Sequence, residues 1–478
     1  MSQDKQKNSL ELTKIKGYID DIWLEHINTT PPEYYLKFIK KLNIGSMLKS
    51  ANNFGTPQYL LDKVSQKERA NFFINTFRKE LPQTEFFYAF KCNDFPQLIK
   101  TLKEQGFNAD VAGIYELQLA LKMGFEKIIF TSPGKSDSEI LLSLKESKKV
   151  ILNIDNKDEL LRLTQLIQKS NFQDIIKISF RLNPLPTTMG IWSKFGINLI
   201  EFKEIINIVK KNHHLNWIGL HFHCSWNKTP TKYIQNINAL SDFIHGNISS
   251  EDINHLEFID IGGGFFPEDT AIINKIQDKG ILLDIINEHH DNPEIYKELN
   301  FDPHLPELRP VKPLDYFATE IAKAIKEKIL LFNNKLKIFL EPGRFLATHS
   351  TSILLKVIAK KGNNVIVDGG INMVGDYRFE EYSYAPIVNL SRPSNQLKKQ
   401  TIYGPLCDPS DLWGYSYYGT DLQVGDILAV LHQGAYTFSF AWRFIKPISP
   451  YVVMDEENIK LGKKEESFED RYGGCDLD

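Results

Sequence analysis

The chain is 478 residues long and 42% of them are apolar, enough to bury a full core and to form two domains rather than one. With 57 lysines and arginines against 60 aspartates and glutamates, its formal charge of -3 gives no field that would select nucleic acid or an anionic membrane surface. Four widely spaced cysteines, Cys92, Cys224, Cys407 and Cys475, rule out a disulfide scaffold and zinc-type pairs, and fit a reducing cytoplasm.

The N-terminal MSQDKQKNSLELTK is polar and lacks an apolar signal core, and no later stretch has the length of an uncharged membrane span, so a soluble cytoplasmic protein is expected. Residues 1–50 mix charge with apolar positions such as Ile19, Trp23 and Leu36 and read as a helical extension. Residues 51–83 form a lead-in, part of which is expected to pair with a later β domain. A different rhythm begins at residue 84: short apolar runs, a turn, then an amphipathic stretch. The runs are FFYAF at 86–90, KIIFTS at 127–132, KVILNI at 149–154, IKISFRL at 176–182, WIGLHFHC at 217–224, LEFIDIG at 256–262 and LKIFLEPG at 336–343. Strands alternating with helices imply a parallel sheet, and this many units favour a closed (β/α)8 barrel over residues 84–347, with its chemistry at the C-terminal strand ends. From residue 348 to 478 the pieces VIVDGG, QTIYGPLCD, DILAVLHQGAY and YVVMD are β-rich without regular helices between them, which predicts a second, mostly antiparallel β domain.

Several residue groups in this frame suit a pyridoxal phosphate Schiff base. Lys91 stands at a strand end in FYAFKCN, where burial and neighbouring charge would lower its pKa toward the neutral amine; a solvated loop lysine is the competing reading. Gly262, Gly263 and Gly264 follow FIDI and could turn N–H groups toward a phosphate, or simply form a turn. Glu341, ending KIFLE, could keep a pyridine nitrogen protonated with Arg344 binding an anion beside it, or the two could be a structural ion pair. His223 could lie flat on a cofactor ring or be a hydrogen-bonded core histidine. His221 shares its strand face, which would suit a metal pair, but no third ligand has suitable spacing and no metal is expected. Cys407 could donate a proton and Asp408 receive a substrate ammonium group; the alternative is a buried cysteine beside a capping aspartate. Tyr436, after a glycine, could give its hydroxyl to phosphate or pack in an aromatic core.

The ordered series FYAFKCN, DVAGIYE, SKFG, HFHCS, IDIGGGF, EPGR, CDPSD and GAY, over roughly residues 50 to 460, resembles that of the fold type III pyridoxal-phosphate decarboxylases, the group of diaminopimelate, ornithine and arginine enzymes. The resemblance implies an alanine-racemase-like fold, pyridoxal 5'-phosphate as cofactor, and a homodimer with active sites shared across the interface. It implies that Lys91 bonds the cofactor, that Asp110 and Glu116 support it, and that Ser193 to Gly196 match a further motif. His223 corresponds to the stacking histidine, Gly262 to Gly264 to the phosphate loop, Glu341 to the pyridine-nitrogen carboxylate, Gly343 and Arg344 to a phosphate or substrate-anion contact, and Tyr436 to the tyrosine of GAY. Cys407 and Asp408 correspond to the pair donated across the dimer. Relatives carry HxGS where this chain has HCSW, which bears on a phosphate role for Ser225, and diaminopimelate decarboxylases commonly carry Cys-Glu where Cys407 and Asp408 stand. Arg378 and Tyr382 in DYRFEEY keep the spacing of a substrate-binding Arg-Pro-x-x-Tyr segment without its proline. These departures turn the expectation from diaminopimelate toward a branch decarboxylating ornithine, lysine, D-configured diamino acids or citrate-conjugated diamino acids, as in polyamine and siderophore biosynthesis. The rival readings are an amino-acid racemase, against which Glu341 and Cys407 argue, and a noncatalytic pyridoxal-phosphate-binding protein.

Overall fold

The structure, a computed structural model, describes residues 36, 39–185, 194–197, 199–267, 311–375 and 385–476; Ser193, Arg378 and Tyr382 lie outside the described residues. Strand β1 (Gln58–Asp62) comes first and does not join the barrel. Asp62 ends it and caps the helix Lys63–Glu80, its carboxylate accepting from the Val64 and Ser65 amides at 3.0 and 3.1 Å. Eight strands then close in chain order into a barrel: β2 (Thr84–Ala89), β3 (Asn108–Val111), β4 (Ile128–Thr131), β5 (Val150–Ile154), β6 (Ile176–Arg181), β7 (Leu215–His221), β8 (Phe258–Asp260) and β9 (Lys337–Leu340). Every pairing is parallel, and β9 returns to β2. Amphipathic helices such as Lys157–Lys169, which buries Leu160, Leu163, Leu166 and Ile167, cover the outside. The strand that the apolar runs do not reveal is β3. Asn108–Val111 is four residues with two polar side chains, and it becomes a strand because β2 and β4 on either side satisfy its backbone.

Strand alternation builds the site directly. Phe87, Ile129, Ile151, Phe258 and Phe339 belong to one buried apolar cluster, with the Phe258 and Phe339 rings stacked at 4.1 Å. Two residues further along their strands, on the same face, come Ala89, Thr131, Asn153, Asp260 and Glu341. An apolar layer is thus followed by a polar one at the C-terminal ends, where barrel chemistry is placed. Gly219 in β7 makes room for the apolar layer, because a Cβ there would run into the Phe258 ring. Gly219→Ala should therefore destabilise the protein by roughly 1–3 kcal/mol through overpacking, less a few tenths regained from the stiffer unfolded chain. A urea unfolding midpoint equal to that of the parent chain would show that the ring yields freely.

Among the described residues the second sheet has nine strands: β1 together with β10 (Thr351–Lys361), β11 (Asn364–Val367), β12 (Ile387–Asn389), β13 (Leu397–Tyr403), β14 (Leu412–Tyr418), β15 (Ile427–Val430), β16 (Tyr451–Asp455) and β17 (Asn458–Lys463), in the order β11-β13-β14-β12-β15-β10-β1-β16-β17. The expected architecture of barrel plus β domain is the observed one, but the sheet is mixed: β1 runs parallel to β16 and β11 to β13, while β1–β10, β10–β15 and β13–β14 are antiparallel. β1 lies between β10 and β16, so the lead-in chain is built into the second sheet before the barrel begins. Among the described residues no helix is long and apolar enough to cross a membrane.

The two units are joined beside Lys91. The Asn93 amide nitrogen donates to the Gly434 carbonyl at 2.8 Å, the Tyr436 N–H donates to the Cys92 carbonyl at 2.7 Å, and Phe95 stacks on Tyr451 at 3.8 Å. Gly434 is required at this seam, since a Cβ there would collide with the Ala347 carbonyl oxygen.

Candidate active site

Lys91 leaves β2 on a single 3-10 turn, Phe90–Cys92, and its Nζ donates to Asp110 Oδ2 at 3.1 Å. Asp110 is buried in β3; burial first, and then the neighbouring Glu341 charge, push its carboxyl up to about 8 despite Lys91. The expectation of a lowered lysine pKa is corrected here. Burial does pull Lys91 down, but Asp110 and Glu341 outweigh it and the ammonium form is favoured. The side chain is also 37% exposed, so it keeps part of its hydration. Glu116, on the first turn of the helix Ile114–Lys122, accepts the Ala112 N–H at 2.7 Å and fixes the chain just beyond β3.

Glu341 follows β9 and is buried, and neither of its carboxylate oxygens has a hydrogen-bond partner among the described residues. His221 Nε2 and His223 Nδ1 each stand 3.6 Å from Glu341 Oε2, too far for a formed hydrogen bond. Burial raises the Glu341 pKa, but the nearby His221, His223 and Lys91 reverse this and hold it well below the usual range. Asp260 does the opposite: burial and the neighbouring Glu341 charge push its carboxyl far up. His221, His223 and Glu341 have ligand atoms all within 4.8 Å of one another, so the fold supplies the third donor absent from the local spacing. Both ring nitrogens of His223 are nonetheless engaged, Nδ1 accepting the Gly263 N–H at 3.2 Å and Nε2 facing Ser225 Oγ at 3.0 Å.

Burial, and then the Lys91 charge, outweigh Glu341 and lower His223 to about 4, so the ring is neutral in the folded chain at neutral pH. An unfolded histidine titrates near about 6.5, so this group's contribution to stability is complete above that pH and is lost as the pH falls through about 4. His223→Gln should flatten the stability profile of the cofactor-free protein between those limits, by roughly 3 kcal/mol over the window. Urea unfolding from pH 7 down to pH 4 measures this. Parallel profiles for the two proteins would refute the buried neutral histidine.

The triple glycine is a close approach of three backbones. Gly262 and Gly264 have φ of 70° and 88°, and side chains at positions 262, 263 and 264 would strike His223, the Glu341 carbonyl and the Cys224 carbonyl respectively. The expectation that the whole run offers its N–H groups outward is corrected in part. The Gly262 N–H is taken by Asp260 at 2.8 Å and that of Gly263 by His223, and Ser225 likewise faces His223. Arg344 starts the short helix Arg344–Ala347 and places its guanidinium 4.8 Å from the Phe266 ring centre and 5.0 Å from that of Tyr436, while Gly343 allows the chain to pass Cys92. Tyr436 arrives from the second sheet with φ of 59°, held by its N–H to Cys92. Cys407 is exposed rather than buried, and Asp408 accepts from the Ser410 N–H at 2.9 Å and its hydroxyl at 2.8 Å.

Sequence reading missed the residues that organise these. Asn153 links β4, β6 and β7 through Thr131, Ser179 and His221. Gly196 of SKFG is fixed by Asp155, whose carboxylate accepts its N–H at 3.1 Å, and Arg181 lies 4.3 Å from the centre of the Phe195 ring. Asp411 shapes the turn bearing Cys407 by accepting from the Ile371 N–H at 2.8 Å and the Leu406 N–H at 2.6 Å. The signal for Asn153 and Asp260 was a polar residue at an inward position of an otherwise apolar strand.

A family model described as pyridoxal-dependent decarboxylase, pyridoxal binding domain, matches residues 69–298. The diaminopimelate decarboxylase of Methanothermobacter thermautotrophicus is 27% identical over 442 residues, covering 89% of this chain and 92% of that protein. The L-glutamyl-[BtrI acyl-carrier protein] decarboxylase of Niallia circulans is 26% identical over 422 residues, covering 81% and 86%. In fold, the chain is similar to Helicobacter pylori diaminopimelate decarboxylase complexed with L-lysine, with TM-score 0.70, 23% identity and coverage of 89% and 98%. It is similar also to the lysine/ornithine decarboxylase of Vibrio vulnificus complexed with putrescine, with TM-score 0.63, 22% identity and coverage of 84% and 94%.

Proposed function

Because the chain belongs to the fold type III pyridoxal-phosphate-dependent decarboxylase family, related to the diaminopimelate and ornithine decarboxylases, we propose that it removes the α-carboxylate of a diamino acid, free or conjugated, giving an amine and CO2. The observation that carries this is Glu341: a buried carboxylate with both oxygens unpartnered among the described residues, in the same strand-end layer as the Lys91–Asp110 pair. An orphaned buried acid is costly unless something cationic is to be met there, and a protonated pyridine nitrogen is such a group.

In this reading pyridoxal phosphate would be held by Lys91 through its amine, by Glu341 at the ring nitrogen, by His223 at the ring, and by Gly264, Arg344 and the Tyr436 hydroxyl at the phosphate. When bound, the cofactor supplies an electron sink for the pair left behind by departing CO2. Asp110 keeps the Lys91 amine charged and oriented until it is needed. His223, neutral at working pH, adds no positive charge beside Glu341. Cys407 supplies a proton to the carbon that loses CO2 and Asp408 binds the substrate's distal ammonium, both delivered by a second copy of the chain, which agrees with the exposure of Cys407 in the single subunit. Substrate contacts are assigned to Arg378 and Tyr382 from their spacing in DYRFEEY alone. The conjugated alternative draws support from the Niallia circulans relative, whose named substrate is itself an amino acid carried on another molecule.

The test is CO2 release and mass identification of the amine from the pyridoxal-phosphate-loaded protein with L- and D-ornithine, L- and D-lysine, arginine, meso-diaminopimelate and a citryl-diamino acid. One compound should give stoichiometric CO2. Loss of stereochemical purity without CO2 would replace the proposal with a racemase. The shared site has its own check: Lys91→Ala and Cys407→Ala should each be inactive, and an equimolar mixture allowed to exchange subunits should recover about a quarter of the activity, since half the dimers then carry one intact site of two. No recovery despite verified exchange would exclude a site completed by the partner.

A further inference from the structure

The two histidines of HFH stand equally far from Glu341 but carry their protons differently. His223 uses Nδ1 as an acceptor for the Gly263 N–H and turns Nε2 toward Ser225, so it has no proton to offer the carboxylate. His221 is buried at the end of β7, and its Nδ1 lies 2.9 Å from Asn153 Nδ2. Asn153 is itself oriented: its Oδ1 accepts the Ser179 hydroxyl at 3.0 Å, and its Nδ2 also reaches Thr131 Oγ1 at 3.2 Å. Behind it, the buried Lys135 Nζ donates to the Asn153 carbonyl at 2.8 Å and to Glu159 at 2.8 Å, pinning the end of β5. With the amide nitrogen donating to Nδ1, the His221 proton must sit on Nε2, the atom 3.6 Å from Glu341 Oε2. Flipping Asn153 would reverse every bond and turn an Nε2 lone pair toward a carboxylate to which His223 already offers no proton, leaving Glu341 without an N–H from either ring.

We propose that Ser179, Asn153 and His221 form a relay across β6, β5 and β7 whose purpose is to hold an N–H against Glu341, making His221 a positioning residue for the carboxylate that meets the cofactor's ring nitrogen. The inference rests on the pyridoxal phosphate reading above. The 3.6 Å separation is a contact poised to close when the ring is bound, as such bonds commonly are long without ligand. His221 does not touch the cofactor in this arrangement; it acts through Glu341, fixing which oxygen points where and keeping the carboxylate ionised.

The test compares equilibrium binding of pyridoxal phosphate with that of its carbocyclic analogue, in which a C–H replaces the ring nitrogen, using absorbance and intrinsic fluorescence rather than activity. His221→Phe should weaken pyridoxal phosphate about tenfold, the scale of one charge-assisted hydrogen bond, and leave the analogue within about twofold. Asn153→Ala should give the same selective loss, while His221→Gln, which retains an N–H donor, should restore part of the preference. Equal weakening of both ligands by Asn153→Ala and His221→Phe would reduce the relay to packing and overturn the proposal. If His221→Phe does not fold, Asn153→Ala and His221→Gln decide on the same ratio. A parent chain that binds neither ligand would instead overturn the cofactor reading, so the two failures are distinct.

Discussion

Lys91→Ala is expected to lose the visible absorbance of the covalently held cofactor and to lower turnover by about a thousandfold or more, the scale of removing a group that acts directly on the reacting atoms. Lys91→Arg is the informative companion. Arginine keeps a cation beside Asp110 but has no amine to form the covalent link, so it should be as inactive as Lys91→Ala. The two should differ in stability. Asp110 and Glu341 are buried acids whose charge Lys91 offsets, and alanine leaves them facing one another without it. The apoprotein of Lys91→Ala should therefore unfold at lower urea than that of Lys91→Arg at pH 8, where the acids are most nearly ionised. The comparison needs turnover, absorbance and unfolding on one pair of proteins. Turnover by Lys91→Arg within tenfold of the parent would remove Lys91 from the chemistry.

Replacing Glu341 should separate function from stability. Glu341→Ala deletes the carboxylate set against the ring nitrogen, and kcat should fall about a hundredfold or more with little change in substrate KM, as expected for a group acting mainly in the transition state. Among the described residues this buried carboxylate forms no hydrogen bond, and what the folded apoprotein gains from it is the attraction of His221, His223 and Lys91 to its charge. Glu341→Gln, close in volume and without the charge that His221, His223 and Lys91 favour, should lower the unfolding midpoint at pH 7 only modestly while turnover collapses. Parallel loss of both would mean that Glu341 is a structural ion-pair member, the alternative considered for it from sequence. Measuring kcat, KM and the urea midpoint for both variants distinguishes the cases.

The fold was legible wherever one face of a strand had to be apolar. Runs such as KVILNI and LKIFLEPG announce themselves because both faces of a barrel strand are buried. β3 did not, because Asn108 and Asp110 spend half of its short length on polar side chains that are affordable only at a strand end near the site. β1 in the second sheet was foreseen only as a pairing. Its parallel partner β16 follows it by almost the whole chain, a separation that no local periodicity encodes.

The site divides in the same way. Lys91, His223, Glu341 and the glycines stand out in sequence because each breaks an apolar or turn pattern with a residue that is costly to place there. Their charge states could not be read the same way: Lys91 was expected to lean toward the neutral amine, and the fold surrounds it with acids that favour the ammonium. The third donor beside His221 and His223 comes from a strand far along the chain. Asn153, in the middle of VILNI, looked like an ordinary strand residue until three neighbouring strands turned out to meet at its amide.

What the sequence by itself determined is the set of groups and their order, because a polar residue that breaks the apolar run at the end of a strand, as Thr131, Asn153, Asp260 and Glu341 do, stands out locally. What only the tertiary structure decided is which of those groups share a proton, since pKa and tautomer depend on distances of a few ångströms between residues that only barrel closure brings together.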